Sequence, residues 1–198
     1  DSYVPLQSKI RAVKYSLWLS SASPDQDQDK DPIDTFKFFE RLLFERFAES
    51  VSVELTGDTA STARNFKGLM NQINTMAATR PLSQVNAQGR SMLVRLFPGW
   101  LLPAFKVMFA KPFPTFSAWM NCVVTKWTTD WLMGPAEIQD LELADGVWGK
   151  EQLLVIKKCR FLESTGCART CLHACKMATQ EFFLQDMSVP GTLRPNIK

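Results

Sequence analysis

The sequence predicts a mainly α fold with a small β component (α+β): a helical bundle, an antiparallel β-hairpin, and a C-terminal Cys-rich helix holding a metal site. Three observations predict it. Apolar residues recur at helical spacing through most of the first 134 positions. A β-rich stretch bounded by turn residues follows, at about 138–161. Four of the five cysteines (Cys159, Cys167, Cys171 and Cys175) then fall within seventeen residues. With 198 residues, 45% apolar and 22% charged, the chain can bury one core, so we read a single domain over 1–198. Its helical part is 1–134 and its hairpin and Cys-rich metal-binding part is 135–198.

Residues 5–20 read as an amphipathic helix, with Leu6, Ile10, Val13 and Leu17 at helical spacing. The acidic, polar run at 23–32 reads as a solvated loop. Over 33–50 the spacing of Ile33, Phe36, Phe39, Leu43 and Phe47 predicts the clearest helix. Asp58 is a cap for a helix over 59–78, which Pro81 ends. A fourth helix over 82–96 stops at Pro98-Gly99.

The stretch from Phe97 to Phe116 holds five Phe, one Trp and four Pro, and its only charges are Lys106 and Lys111. Proline-bounded short helices of a core are one reading. A surface for a lipid-like ligand, or an interfacial anchor with its lysines toward headgroups, is the other. A long helix over 116–133 follows, carrying Trp119, Cys122, Val123, Trp127 and Trp131, and Gly134-Pro135 ends it. Two antiparallel strands, 138–143 and 153–161, flank the turn residues Ala144-Asp145-Gly146, and the second delivers Cys159. From Cys167 to about Asp186 the pattern is helical again. The longest uncharged run, Pro112 to Thr125, has 14 residues, short of the roughly 18–20 that cross a bilayer. The chain begins at Asp1 rather than Met, so we expect that an N-terminal part, any import peptide included, has been removed.

Composition narrows the chemistry. A net charge of +3 is too small to advertise a nucleic-acid partner. His173 is the only histidine, which excludes a multi-His metal site. Four clustered thiols in a chain of this length look like metal ligands in a reducing compartment, not a disulfide framework. From Lys157 to Lys198 seven basic residues face three acidic ones, which favours thiolates. On one straight helix Cys167, Cys171 and Cys175 share a face, but eight residues span roughly 12 Å. A single tetrahedral zinc needs its sulfurs within about 4 Å of one another. Either Cys167 lies in the loop before the helix, as Gly166 permits, or the metal unit is large. An iron–sulfur cubane suits the spacing better; structural zinc, mononuclear iron and metal-free thiols stay open. His173 falls on the opposite side of this helix, and Cys122 reads as a buried, inert thiol.

At these residues a resemblance enters. The segments Trp131 to Glu137, Lys157 to Glu163, Gly166-Cys167 through Cys171, Cys175-Lys176, Thr179 to Phe183, Val189-Pro190 and Pro195-Asn196 closely resemble the plant plastid β-carotene isomerase family of the strigolactone pathway. The strong similarity covers about 131–196; a looser one extends toward residue 90. It implies an iron-containing plastid (chloroplast) enzyme, an isomerase that interconverts all-trans- and 9-cis-β-carotene or a related carotenoid. It also implies that Cys159, Cys167, Cys171 and Cys175 match the family's cysteine block; from composition we read 1–134 as the carotenoid-binding part. Family members continue past Pro195-Asn196 into an acidic stretch with a further Ser-Cys pair. At 188–191 the family more often carries Gly-Val-Pro-Leu than this chain's Ser-Val-Pro-Gly.

Turning a polyene double bond requires its bond order to fall temporarily. An iron centre, read first as a 4Fe–4S cluster with mononuclear iron or zinc as alternatives, would do this by one-electron exchange. Glu163 or Glu181 would do it as a proton donor, if burial raised its pKa. Phe105, Phe109, Phe113, Phe116, Trp119 and Trp127 are the candidate lining of the carotenoid slot. Peripheral membrane contact is a further expectation. The competing readings are a non-catalytic carotenoid-binding module with a structural four-cysteine site, and an electron-transfer iron–sulfur protein.

Overall fold

Phe36, Phe44 and Phe47 meet Trp131 edge to face, with ring centroids 6.0, 5.8 and 5.8 Å away. This knot ties Phe36 and the first long helix to the end of the helix that carries Trp131. The computed structural model describes residues 13–16, 32–142 and 148–195. In chain order they form β1 (Val13–Ser16), a short 3-10 turn, α1 (Phe38–Thr56), α2 (Phe66–Thr79), α3 (Leu82–Arg95), α4 (Leu101–Phe105), which runs on as a π-helix (Lys106–Ala110), and α5 (Pro114–Met133). Strands β2 (Ala136–Glu142) and β3 (Trp148–Ile156) follow, then α6 (Arg160–Thr165) and one continuous helix over 168–186. That helix alternates between α7 (Ala168–Thr170), a π segment (Cys171–Met177), α8 (Ala178–Glu181) and a second π segment (Phe182–Asp186), and β4 (Gly191–Arg194) closes the chain.

The expected class holds: the fold is mainly helical, and β2 pairs antiparallel with β3, with a bulge between Gln139 and Leu141. Helices α1 to α3 bury Phe44, Val51, Phe66, Leu69, Met70, Ile73, Met76 and Val85 in one core, which also receives Ile156, Cys159 and Phe161. A second core joins Leu102, Ala118 and Cys122 to Leu154, Phe182, Phe183 and Leu193. Strand β3 therefore serves both cores. Cys122 is fully buried there, as its apolar neighbours predict.

Glycine allows the C-terminal helix to lie close to α3. A Cβ at Gly89 would come 2.7 Å from the Ala178 Cβ and 2.8 Å from the Ala174 carbonyl oxygen. Beside this crossing the Arg90 guanidinium donates to both Asp186 carboxylate oxygens at 2.6 and 2.9 Å. That pair raises the Arg90 pKa.

Several sequence expectations need correction. Within the helix expected over 5–20, Val13–Ser16 is a strand, paired parallel with β4; the rest of that segment lies outside the described residues. Valine and tyrosine suit a strand, and pairing with β4 outweighs a weak helical period. The loop expected over 23–32 also lies outside them, apart from Pro32, as does the turn at 144–146. The first clear helix begins at Phe38, five residues later than expected, and Phe39 faces solvent. The helix expected from residue 59 starts at Phe66. Asp58 instead accepts from the Ala60 N–H at 3.0 Å, in a turn held by local serine and threonine hydroxyls. Asn65 is the true cap, accepting from the Gly68 N–H at 2.7 Å. Strand β3 begins at Trp148 and ends at Ile156, three residues before Cys159.

Candidate functional site

Helix α6 is a short spacer that sets the cysteines. Cys159 precedes it with an extended backbone, and Gly166 ends it at φ 57°, in the left-handed region that glycine adopts without cost. The Gly166 N–H bonds the Leu162 carbonyl at 2.8 Å. The chain then turns, so that Cys167 sits just before the long helix rather than on it. Of the two arrangements the spacing allowed, this is the loop arrangement. Cys171 and Cys175 follow on the π segment. A π-helix places more residues in each turn than an α-helix, so side chains four apart align more closely; such segments often mark functional sites.

Three thiols gather against the first core. Burial raises the Cys159 pKa. Burial, with Cys159 close by, pushes Cys171 up to about 11. Burial, then Cys171 and Cys159, push Cys175 up further still. All three are therefore neutral thiols near neutral pH. Cys167 behaves in the opposite way. Its pKa is lowered by a hydrogen bond with the Thr170 hydroxyl, by the Thr170 and Arg169 backbone N–H groups, and by the Arg169 charge. The hydroxyl proton is already donated to Asn74 Oδ1 at 2.7 Å. The backbone groups at the head of the helix therefore carry most of the lowering.

The segment around Cys167 is fastened to α2. The Asn74 amide donates to the Thr165 carbonyl at 2.9 Å while its Oδ1 accepts from Thr170. Arg169 donates to the Ala77 and Arg80 carbonyls at 2.7 and 3.1 Å, closing the end of α2. Sequence reasoning missed these residues. A signal existed for Asn74: it lies four residues after buried Met70, on the apolar side of the helix.

Among the described residues, no group of three or more His, Cys, Asp or Glu side chains is arranged to hold a metal ion. His173 bonds Asn86 on α3 at 3.2 Å. Glu163 lies half exposed on α6, 3.5 Å from the Lys158 ammonium. Glu181, on α8, contributes to the field that raises Arg90.

The aromatic candidates divide. Phe105, Phe109, Phe116 and Trp119 form a continuous row, with successive centroids 5.8, 6.3 and 5.6 Å apart. Phe113, Phe116 and Trp119, with Pro112, Lys150 and Gln152, line an open groove of about 590 Å³. Trp127 is exposed farther along α5 and does not line it. Glu151, another lining residue, has φ 53°, a strained value for a side-chain-bearing residue. Its carboxylate accepts from the Trp119 indole at 2.9 Å and its N–H donates to Asp140 at 2.8 Å. A second cavity, of about 50 Å³, lies beside Cys175 and is lined by Phe47, Ile73, Met92 and Phe161. The groove and the thiols are thus separate places, near opposite ends of β3; Gln152 to Ile156 alone spans ~13 Å.

Fold and site together define a helical protein whose C-terminal third is a hairpin followed by a thiol-bearing helix. That third, residues 131–198, matches the family described as β-carotene isomerase D27-like, C-terminal. The chain is 38% identical over 66 residues to the chloroplastic β-carotene isomerase D27 of Medicago truncatula. That alignment covers 33% of this chain and 25% of the relative, so it spans only a quarter of the Medicago protein. The chain is 23% identical over 189 residues to the chloroplastic β-carotene isomerase D27 of Arabidopsis thaliana, covering 95% of this chain and 68% of the relative. No solved structure matches. The resemblance read from the cysteine block is borne out, and the isomerase class and plastid address it implied agree with the names of both relatives.

Proposed function

We propose that this chain is a plastid carotenoid cis/trans isomerase, acting reversibly on all-trans- and 9-cis-β-carotene or a closely related carotenoid, in strigolactone biosynthesis. The observation that carries the reading is the family match over 131–198, the segment that folds as the hairpin and the thiol-bearing helix. The names of the two relatives support the activity and the compartment.

Size favours the groove as the polyene site. Small-molecule sites run to roughly 300–1,000 Å³, and the groove at about 590 Å³ lies in that range. The cavity beside Cys175, at about 50 Å³, has room for little more than water. The row of Phe105, Phe109, Phe116 and Trp119 gives an apolar polyene dispersion contacts and removes its surface from water. The Trp119–Glu151 bond fixes one wall. Direct proton donation needs a carboxyl within ~3 Å of the reacting bond, and neither Glu163 nor Glu181 lines the groove.

A thiolate-held iron centre is a separate proposal. It would draw on Cys159, Cys171 and Cys175 and would require Cys167 to turn inward. A 4Fe–4S cluster is its first form, with mononuclear iron or zinc as alternatives. When bound, such an iron centre supplies one-electron exchange. Burial and mutual repulsion both oppose a bare thiolate here, and a cation that displaced the thiol protons would reverse both penalties.

The test is chromatographic. Separate incubations with pure all-trans and pure 9-cis β-carotene converge on one isomer ratio if the chain is an isomerase, and stay apart if it only binds. Iron and acid-labile sulfide content, measured after anaerobic purification, tests the centre independently. Zinc without sulfide would exclude the cluster.

A further inference from the structure

We propose that the outer face of α4, its π extension and α5 docks on an anionic lipid surface. Large apolar side chains there point to solvent: Trp100 is 70% exposed, Val107 68%, Met108 59% and Phe113 58%. Trp100, Ala104, Val107 and Met108 recur at the spacing of one helical face. On α5, Phe116, Trp119 and Trp127 continue it, and the 6.3 Å contact between Phe109 and Phe116 joins the two helices. Exposed Trp and Phe of this kind suit the boundary between headgroups and acyl chains.

Charge identifies the occupant. Between Leu96 and Thr129 there are three lysines, Lys106, Lys111 and Lys126, and no acidic residue. Lys111 is exposed, and no salt bridge among the described residues involves it. A second copy of the chain fits this face less well. A two-fold contact sets a patch against itself and would bring the same lysines together. An anionic surface meets Lys111 and Lys126 with opposite charge, whereas the Lys106 ammonium donates to the Gln185 carbonyl. No described helix is long and apolar enough to cross a membrane. Phe113, Phe116 and Trp119 belong to both this face and the groove, so docking would open the groove toward lipid. The inference does not depend on the isomerase reading, and its test contains no carotenoid.

The experiment is flotation of the full chain with phosphatidylcholine vesicles, with and without phosphatidylglycerol, at low and high salt. The expected result is recovery with the phosphatidylglycerol vesicles that falls as salt rises. A Trp100→Ser, Met108→Ser double variant should lose about tenfold in lipid partitioning with an unchanged circular dichroism spectrum. Lys111→Glu should lose at least about fivefold. Sedimentation of the full chain with both vesicle types would overturn the proposal, as would flotation that neither variant changes. A dimer on size exclusion that the double variant dissociates would assign the face to a second copy and also overturn it.

Discussion

The Thr170 hydroxyl donates to Asn74 Oδ1 at 2.7 Å, across 96 residues of sequence. Thr170 stands at the head of the thiol-bearing helix and Asn74 is in the middle of α2. The bond therefore ties the cysteine segment to the helical part of the chain.

Replacing Asn74 with Ala would leave the Thr165 carbonyl and the Thr170 hydroxyl without their partner. The expected loss is about 1–3 kcal/mol of unfolding free energy. Urea denaturation measures it. Hydrogen exchange at 165–170 should rise more than exchange in α1. Equal change in both segments would show that Asn74 does not act locally.

The four thiols of the block should react very unequally. With its pKa lowered and its side chain partly exposed, Cys167 is the one expected to be alkylated first by iodoacetamide at neutral pH in the reduced, metal-free protein. Cys171, neutral and buried, should follow only on unfolding, and Cys175, neutral but partly exposed, should react after Cys167. Peptide mapping after brief labelling reads the order.

Alkali should loosen the fold through Cys171. Its folded pKa of about 11 lies above an unfolded value of about 8.5. The folded state therefore holds the proton longer, and its advantage is complete below about pH 8.5. Stability is lost as pH rises through about 11, by about 2–3 kcal/mol from this group. Cys175 acts in the same direction. Urea midpoints of the reduced, metal-free protein between pH 8 and 11 should fall, and Cys171→Ala should flatten the slope.

Gly89→Val should cost about 1–3 kcal/mol, because even a Cβ would meet Ala178 and Ala174 at under 3 Å. The thermal midpoint reports it. Gly99→Ala, where a Cβ would meet nothing within 4 Å, is the control and should change stability little.

The sequence carried some of this plainly. Phe66, Met70, Ile73 and Ala77 announced the buried side of α2, and Gly134-Pro135 marked the end of α5, because both signals are local. The pairing of β1 with β4 joins segments about 180 residues apart and leaves no mark at helical or strand spacing. The start of α2 was misread because Asp58 and its hydroxyl neighbours satisfy one another in a turn. In the site, the placing of Cys171 and Cys175 on one helix was legible from their spacing. The place of Cys167 just before the helix was not, since Gly166 permits either course. Lys150, Glu151 and Gln152 enter the groove only through the register of β3, which no local pattern declares.

The most direct measurement compares the full chain with two variants in one carotenoid assay. The full chain should bring all-trans and 9-cis β-carotene to a common ratio. Phe116→Ala with Trp119→Ala should raise KM about tenfold with the final ratio unchanged. Cys171→Ser should bind carotenoid as before and leave each isomer unconverted. An isomer ratio with the full chain no different from that with heat-denatured protein would contradict the account.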